Sequence, residues 1–252
     1  MSETEQKDKP ITAALVIIGN EILSGKVEEA NGRFLAQQLF ELGWHLLEVA
    51  VVPDTREAVI STVRRLAASF DHVFTSGGVG PTHDDITLAA VAEAMERPLV
   101  VSPVLELLLR KFYGVELLTP SQQRLALVPE GAVLHYGESS QYPQMMIENV
   151  YPLPGIPDLF RKKFLELKEL WPPAAPIGRR SLQLIAMETD LAELLTTVAN
   201  DHPAVQLGSY PTLKEGQWHL ELVLESSRPE ELEKALAVLV RELGVEPQPL
   251  PS

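Results

Sequence analysis

Residues 13–19 run Ala-Ala-Leu-Val-Ile-Ile-Gly with no polar side chain, a continuity that predicts a buried parallel strand rather than a half-exposed one. A helical period follows. Phe34, Leu35, Leu39 and Leu42 form one apolar stripe over residues 33–42, with Asn31 as the expected N-cap and Gly43 as the stop. Residues 44–52 predict a second strand and Pro53-Asp54 a turn. Residues 55–70 predict a second helix with Val59, Ile60, Val63, Leu66 and Ala67 inward, and residues 72–75 a third strand. Strand, helix, strand, helix, strand is the mark of parallel α/β units joined by right-handed crossovers. The carboxyl ends of such strands share one edge of the sheet, where ligands bind.

Farther along, residues 86–96 read as helix, 98–101 as extended chain, and 102–112 as a Ser-capped helix with Leu105, Leu108 and Leu109 apolar. Thr119-Pro120-Ser121 opens another short helix. Residues 132–136 and 144–151 predict strands, and Pro157 suits the first turn of a helix over residues 158–170. The prolines of Trp171-Pro172-Pro173-Ala174-Ala175-Pro176 prevent regular structure and predict a linker. The expected organisation is a disordered start (1–11), a large domain (12–170), the linker (171–179) and a small domain (180–252). The small domain reads as strand, helix, strand, strand, helix.

One stretch carries the candidate chemistry. An apolar strand at Val73-Phe74-Thr75 runs into Ser76-Gly77-Gly78-Val79-Gly80-Pro81-Thr82, then His83-Asp84-Asp85 and a helix. Glycines without Cβ leave backbone N–H groups open to a phosphate and permit positive φ. Asp84 and Asp85 would repel that phosphate alone, so the combination points to an oxygen-ligated divalent cation, Mg²⁺, Mn²⁺ or Co²⁺, between carboxylate and phosphate. The alternative is a plain glycine turn whose acids complement a helix dipole. No Lys-Ser/Thr follows Gly80, so a Walker A reading fails, and His83 stands where a dinucleotide fingerprint needs glycine.

The net charge of −14 argues against a nucleic-acid surface, since phosphate backbones are gripped by clustered Lys and Arg. Arg64-Arg65 and Arg161-Lys162-Lys163 read as solvated helix faces. With no cysteine, thiol catalysis and disulfides are excluded. The polar N-terminus and the lack of a long apolar run predict a cytoplasmic protein without a membrane partner. Ser76 lacks an arrangement for nucleophilic catalysis, so phosphate hydrogen bonding is its better role.

Gly19-Asn20-Glu21-Ile22-Leu23-Ser24-Gly25, Asn31, and Ser76 to Thr82 with Asp84, Asp85 and Thr87 together resemble the MoaB/Mog molybdopterin-binding domain. The similarity is to the form at the N-terminus of competence/damage-inducible protein A and of eukaryotic FAD synthases. It implies an α/β three-layer sandwich with a mostly parallel sheet, binding molybdopterin in some members and cleaving ADP-ribose or FAD at the diphosphate in others. Residue by residue, it implies that Ser76, Gly77, Gly78, Gly80, Pro81 and Thr82 form the ligand loop and that Asp85 is the functional aspartate. Gly19, Asn20, Glu21, Ser24, Gly25 and Asn31 fall on the first-turn motif. Residues 137–144 depart from the competence form, whereas residues 149–157 and 207–211 are similar to the FAD synthase form. On this length, neither the deamidase of the one nor the transferase domain of the other is expected in the chain. A dimer or trimer is expected by analogy.

The residues themselves support phosphoanhydride hydrolysis. Asp85, with Asp84 or Glu21, would hold the metal, with K⁺ as an optional accessory ion, and loop N–H groups would bind the leaving phosphate. Glu21 or Asp54 would take the proton of the attacking water, although Asp54 also reads as an ordinary N-cap. His83 is placed to donate a proton or to be solvated. The competing reading is a non-catalytic pterin- or nucleotide-binding protein.

Overall fold

The computed structural model describes residues 10–82, 84–137, 142–172 and 176–247. The expected disordered start and the middle of the linker lie largely outside them. The chain forms two compact units, residues 1–173 and 174–252.

In the first unit, β1 (Thr12–Ile18) leads into a one-turn helix α1 (Asn20–Leu23), then α2 (Asn31–Glu41), β2 (His45–Val52), α3 (Arg56–Ser69), β3 (His72–Ser76) and α4 (Thr87–Ala94). An insertion follows: β4 (Leu99–Val101), α5 (Pro103–Tyr113), α6 (Pro120–Arg124), β5 (Leu127–Pro129), β6 (Val133–His135) and β7 (Gln144–Met146). The chain then returns through β8 (Val150–Leu153) and α7 (Pro157–Lys168). The main sheet has the order β2-β1-β3-β8, every pair parallel. β1 lies between β2 and β3 with both faces covered, which is why its sequence is unbrokenly apolar.

Alternation along β1 divides the core. Ala14, Val16 and Ile18 pack with Val59, Val63 and Leu66 of α3 and Ala90, Val91 and Ala94 of α4. On the other face, Leu15 meets α2 at Gly32, and Phe34 packs edge-on to Phe160 and Phe164 of α7. The chain thus leaves β1 on one face and returns to β3 over the other. The crossover direction reverses between β1 and β3, the switch point at which such sheets bind ligands.

The stretch expected as one strand over residues 144–151 is two. Glu148 takes φ 52°, and Asn149 Nδ2 donates to Ala67 O and Phe70 O, both at 2.9 Å, so the chain reverses at the end of α3. β7 pairs antiparallel with β6 while β8 joins the main sheet. The short β5, which the sequence pattern does not predict, pairs antiparallel with β4. Ser102 caps α5 and Thr119 opens α6 with a capping box, as their sequences imply. Among the described residues no helix is long and apolar enough to cross a membrane.

The second unit comprises β9 (Gly178–Ile185), α8 (Glu188–Asp201), β10 (Gln206–Lys214), β11 (Gln217–Ser226) and α9 (Pro229–Leu243), with an antiparallel sheet of order β10-β11-β9. Its core joins Leu182, Leu220, Leu222 and Leu224 with Val198 of α8 and Leu232, Leu236 and Leu239 of α9.

At the amino end of β3, His72 stacks on Trp44 with ring centroids 4.2 Å apart, and Trp171 packs on both. Both tryptophans are therefore core anchors. Burial pushes the His72 imidazole down to about 4, against a smaller upward pull from Asp71. Between about pH 6.5 and 4 the unfolded chain binds a proton that folded His72 refuses, so folding stability falls as the pH drops through that window. Urea midpoints at pH 7 and pH 5 should fall more in the native protein than in His72→Phe; equal falls would refute the assignment.

Candidate functional site

The carboxyl ends of the parallel strands meet at one edge. After β1, Gly19 N–H donates to Val52 O at 3.2 Å, tying the first turn to the end of β2. Asp54, in the turn after β2, accepts the Asn20 backbone N–H at 2.8 Å. The expectation that Asp54 caps its own following helix is thus corrected. Thr55 is the N-cap residue of α3 and no side chain caps that end. Parallel pairing of β1 with β2 sets the two turns side by side, and Asp54 serves the other one.

Asn31 requires a second correction. It is the first residue of α2 rather than its cap; Glu29 Oε1 accepts the N–H groups of Asn31 at 2.7 Å and Gly32 at 2.9 Å in that role. The Asn31 side chain is buried, and its Nδ2 donates to Ser76 Oγ and to Gly155 O, each at 2.8 Å. One amide therefore clasps α2, the end of β3 and the turn after β8. Its loss would leave buried polar partners unpaired, at about 1–3 kcal/mol. Ser76 faces Asn31 and is buried, which fits a positioning role and no nucleophilic one.

The glycine loop is held from below. Gly77 N–H donates to Leu153 O at 3.1 Å, Thr87 N–H to Gly78 O at 2.9 Å, and Thr87 Oγ1 to Gly77 O at 2.8 Å. With those carbonyls turned to α4, the N–H groups of Gly78, Val79 and Gly80 donate to no group among the described residues. Pro81, which has no N–H, ends the run. Three consecutive half-buried residues with such free donors are the kind of backbone run that can bind an anion.

Asp85 borders this run. Its Oδ2 accepts the Thr82 N–H at 2.7 Å and the Thr82 hydroxyl. A Cβ on Gly80 would stand 2.6 Å from that oxygen, so the third glycine is what lets the carboxylate close on the loop. Asp84 is exposed, with its carbonyl accepting Ile86 N–H at 3.0 Å, and His83 lies outside the described residues. Glu21 is exposed and folds its carboxylate over Gly19. Ser24 Oγ donates to Glu21 O at 3.3 Å, and Gly25 takes φ 70° in open space. These two serve the first turn itself and make no bond to the glycine loop.

Among the described residues, no three or more His, Asp or Glu side chains converge as metal ligands. Magnesium-type sites commonly use one or two carboxylates together with substrate phosphates. Asp85, close to the loop at Thr82 and Gly80, fits such an ion only jointly with a phosphorylated ligand. Glu29 and Gly155 are site residues that the sequence pattern leaves unmarked. Pro154-Gly155 is visible as a turn, and Glu29 only as an acid ahead of a helix.

The open parallel sheet, its switch point and the appended antiparallel unit define an α/β protein of the MoaB/Mog-like class. The chain belongs to the probable molybdopterin binding domain family, whose model matches residues 14–172. The model described as FAD synthase, middle domain, matches residues 176–247. A probable FAD synthase of Caenorhabditis briggsae is 32% identical over 93% of this chain and 50% of its own length. A CinA-like protein of Synechococcus sp. is 30% identical over 91% of this chain and 57% of its own. The chain thus spans about half the length of these relatives. The crystal structure of a CinA protein of unknown function from Thermoplasma acidophilum aligns with a TM-score of 0.59 and 26% identity, covering 64% of this chain and 97% of that one.

Proposed function

We propose that the first unit binds the diphosphate of a dinucleotide such as FAD or ADP-ribose and hydrolyses it with a divalent cation. The observation that carries this reading is the run of unpaired N–H groups at Gly78, Val79 and Gly80 with the Asp85 carboxylate beside it. The relatives named as FAD synthases and the match to the FAD synthase middle domain favour a flavin dinucleotide among the substrates.

The loop would take the phosphate oxygens, with Asn31 and Thr87 holding it in shape before the ligand arrives. That preorganisation would put donors where charge develops on the leaving phosphate. When bound, Mg²⁺, Mn²⁺ or Co²⁺ neutralises diphosphate charge and acidifies a water. Asp85, with Asp84, would hold the ion, and Glu21, exposed in the first turn, would accept the water's proton. Water adds to one phosphorus, the P–O–P bond breaks, and FAD yields FMN and AMP.

The test is incubation of the pure protein with FAD and with ADP-ribose, each with Mg²⁺, Mn²⁺ or Co²⁺, with and without K⁺, followed by separation of products. AMP in at least one pairing is expected; its absence from every pairing would end the hydrolytic reading. One observation favours a second reading, a module that holds a pterin or nucleotide without cutting it: Asp85 is already closed onto Thr82. Ligand retained through purification and identified by mass spectrometry, with no AMP formed, would support it.

A further inference from the structure

Beside the glycine loop a cavity of about 900 Å³ opens between the inserted segment and the end of β8. Val79, in the loop itself, lines it together with Leu105, Leu109 and Val128, and its walls are predominantly apolar. This exceeds what an adenine needs and falls in the upper range of small-molecule sites, about 300–1,000 Å³. Phosphate binding cannot account for it, because the loop N–H groups need no apolar wall.

The chemistry of the lining is divided. Leucine and valine side chains of α5, β5 and the satellite core around Leu118 and Met145 form one part. Phe112, Tyr113 and Tyr142 supply aromatic surface, and Phe112 is 79% exposed. The other part is polar and fixed. Gln144, buried, donates Nε2 to Met145 O at 2.9 Å and also to Pro152 O, so its amide orientation is set and Oε1 is left as an acceptor. Lys163 bonds the Tyr142 carbonyl and Glu166 Oε2, the latter at 2.8 Å, and Tyr142 Oη donates to Leu125 O at 2.8 Å. An apolar chamber with one oriented acceptor and two lysines, Lys111 and Lys163, in its lining matches a flat ring system with a hydrocarbon edge and an imide edge. The isoalloxazine of a flavin has both: a dimethylbenzene edge, and an N–H flanked by two carbonyls.

We propose that this cavity is the ring subsite for a flavin whose diphosphate lies on the loop at residues 76–82, with Gln144 accepting from the ring imide and Phe112 covering the mouth. This deepens the proposed function and rests on its reading of the loop. It commits the site to the flavin end of the dinucleotide, leaving the adenosine end outside the cavity.

Riboflavin and FMN, titrated into the metal-free protein, separate the two ideas, because riboflavin has no phosphate for the loop to hold. Flavin fluorescence should be quenched saturably by both ligands. Leu108→Trp, which fills the cavity from a half-buried position on α5, should weaken both by about tenfold or more, with Phe112→Ala weakening them less. Circular dichroism checks that each variant is folded. No saturable quenching by either flavin, quenching unchanged in both folded variants, or displacement of riboflavin by AMP alone would overturn the ring subsite. Riboflavin binding without AMP release from FAD would instead keep the subsite and remove hydrolysis, and AMP release without flavin binding would do the reverse.

Discussion

Gly77→Ala is expected to lower the thermal midpoint of the first unit by about 6–12 °C and to abolish ligand binding, from a cost of about 3 kcal/mol. Gly77 is buried at φ 104°, where an L side chain is strained, and a Cβ there would overlap the carbonyl oxygen of Ile18. Strain alone costs about 1–2 kcal/mol. The overlap adds to it because Ile18 cannot retreat: β1 is bonded in register on both sides, Ile18 to Val52 and Ile17 to Ser76. Any relief must move Gly77, and with it the Gly77 N–H bond to Leu153 O and the Thr87 bond that fix the loop. Gly25→Ala is the control, since its φ of 70° carries the same kind of strain but nothing lies within 4 Å of the added methyl. Thermal unfolding followed by circular dichroism should separate the two variants by several degrees. Equal midpoints would show that the close approach to Ile18 is not a determinant of the loop.

Asp85→Asn is expected to reduce AMP release by about 10²-fold or more while leaving the urea midpoint nearly unchanged. Asparagine keeps the side chain's size and one acceptor oxygen for Thr82, so the clasp at 2.7 Å is retained in form. What is lost is the negative charge that would hold a divalent ion against the diphosphate. Asp85→Ala is less informative, since it removes both the clasp and the charge and would loosen the loop around Gly80. Single-turnover AMP release, read beside urea unfolding, separates the roles. An active Asn variant would make Asp85 a structural clasp only; an inactive but equally stable one would place its charge in the chemistry.

The two corrections at the site have a common cause. Asn31 was expected to cap a helix and Asp54 to cap another, because Asn and Asp before an apolar-periodic run are ordinary caps. Instead Asn31 bonds groups 45 and 124 residues away, and Asp54 bonds a turn 34 residues earlier. Capping propensity is a local property and gives no hint of a partner that only the sheet brings near. The division of residues 144–151 into two strands is partly of the same kind: Glu148-Asn149 interrupts the apolar run in the sequence, but that the chain reverses there depends on Asn149 reaching the carbonyls at the end of α3.

The sequence by itself determined the parallel alternation, the buried central strand and the helix bounds set by Ser102, Thr119 and Pro157, and it marked the glycine loop as the stretch to examine. These are signals of period, proline and glycine, each complete within a few residues. Only the tertiary structure decided that the β1 and β2 turns interlock through Asp54, that Asn31 joins three elements, that the carbonyls of Gly77 and Gly78 bond Thr87 while the next three N–H groups have no partner among the described residues, and that an apolar cavity lies beside them. The reason is physical: the crossover places residues far apart in the chain at the carboxyl ends of neighbouring strands. Hydrogen bonds and cavities there depend on which strands are neighbours, a property of the whole sheet rather than of any segment.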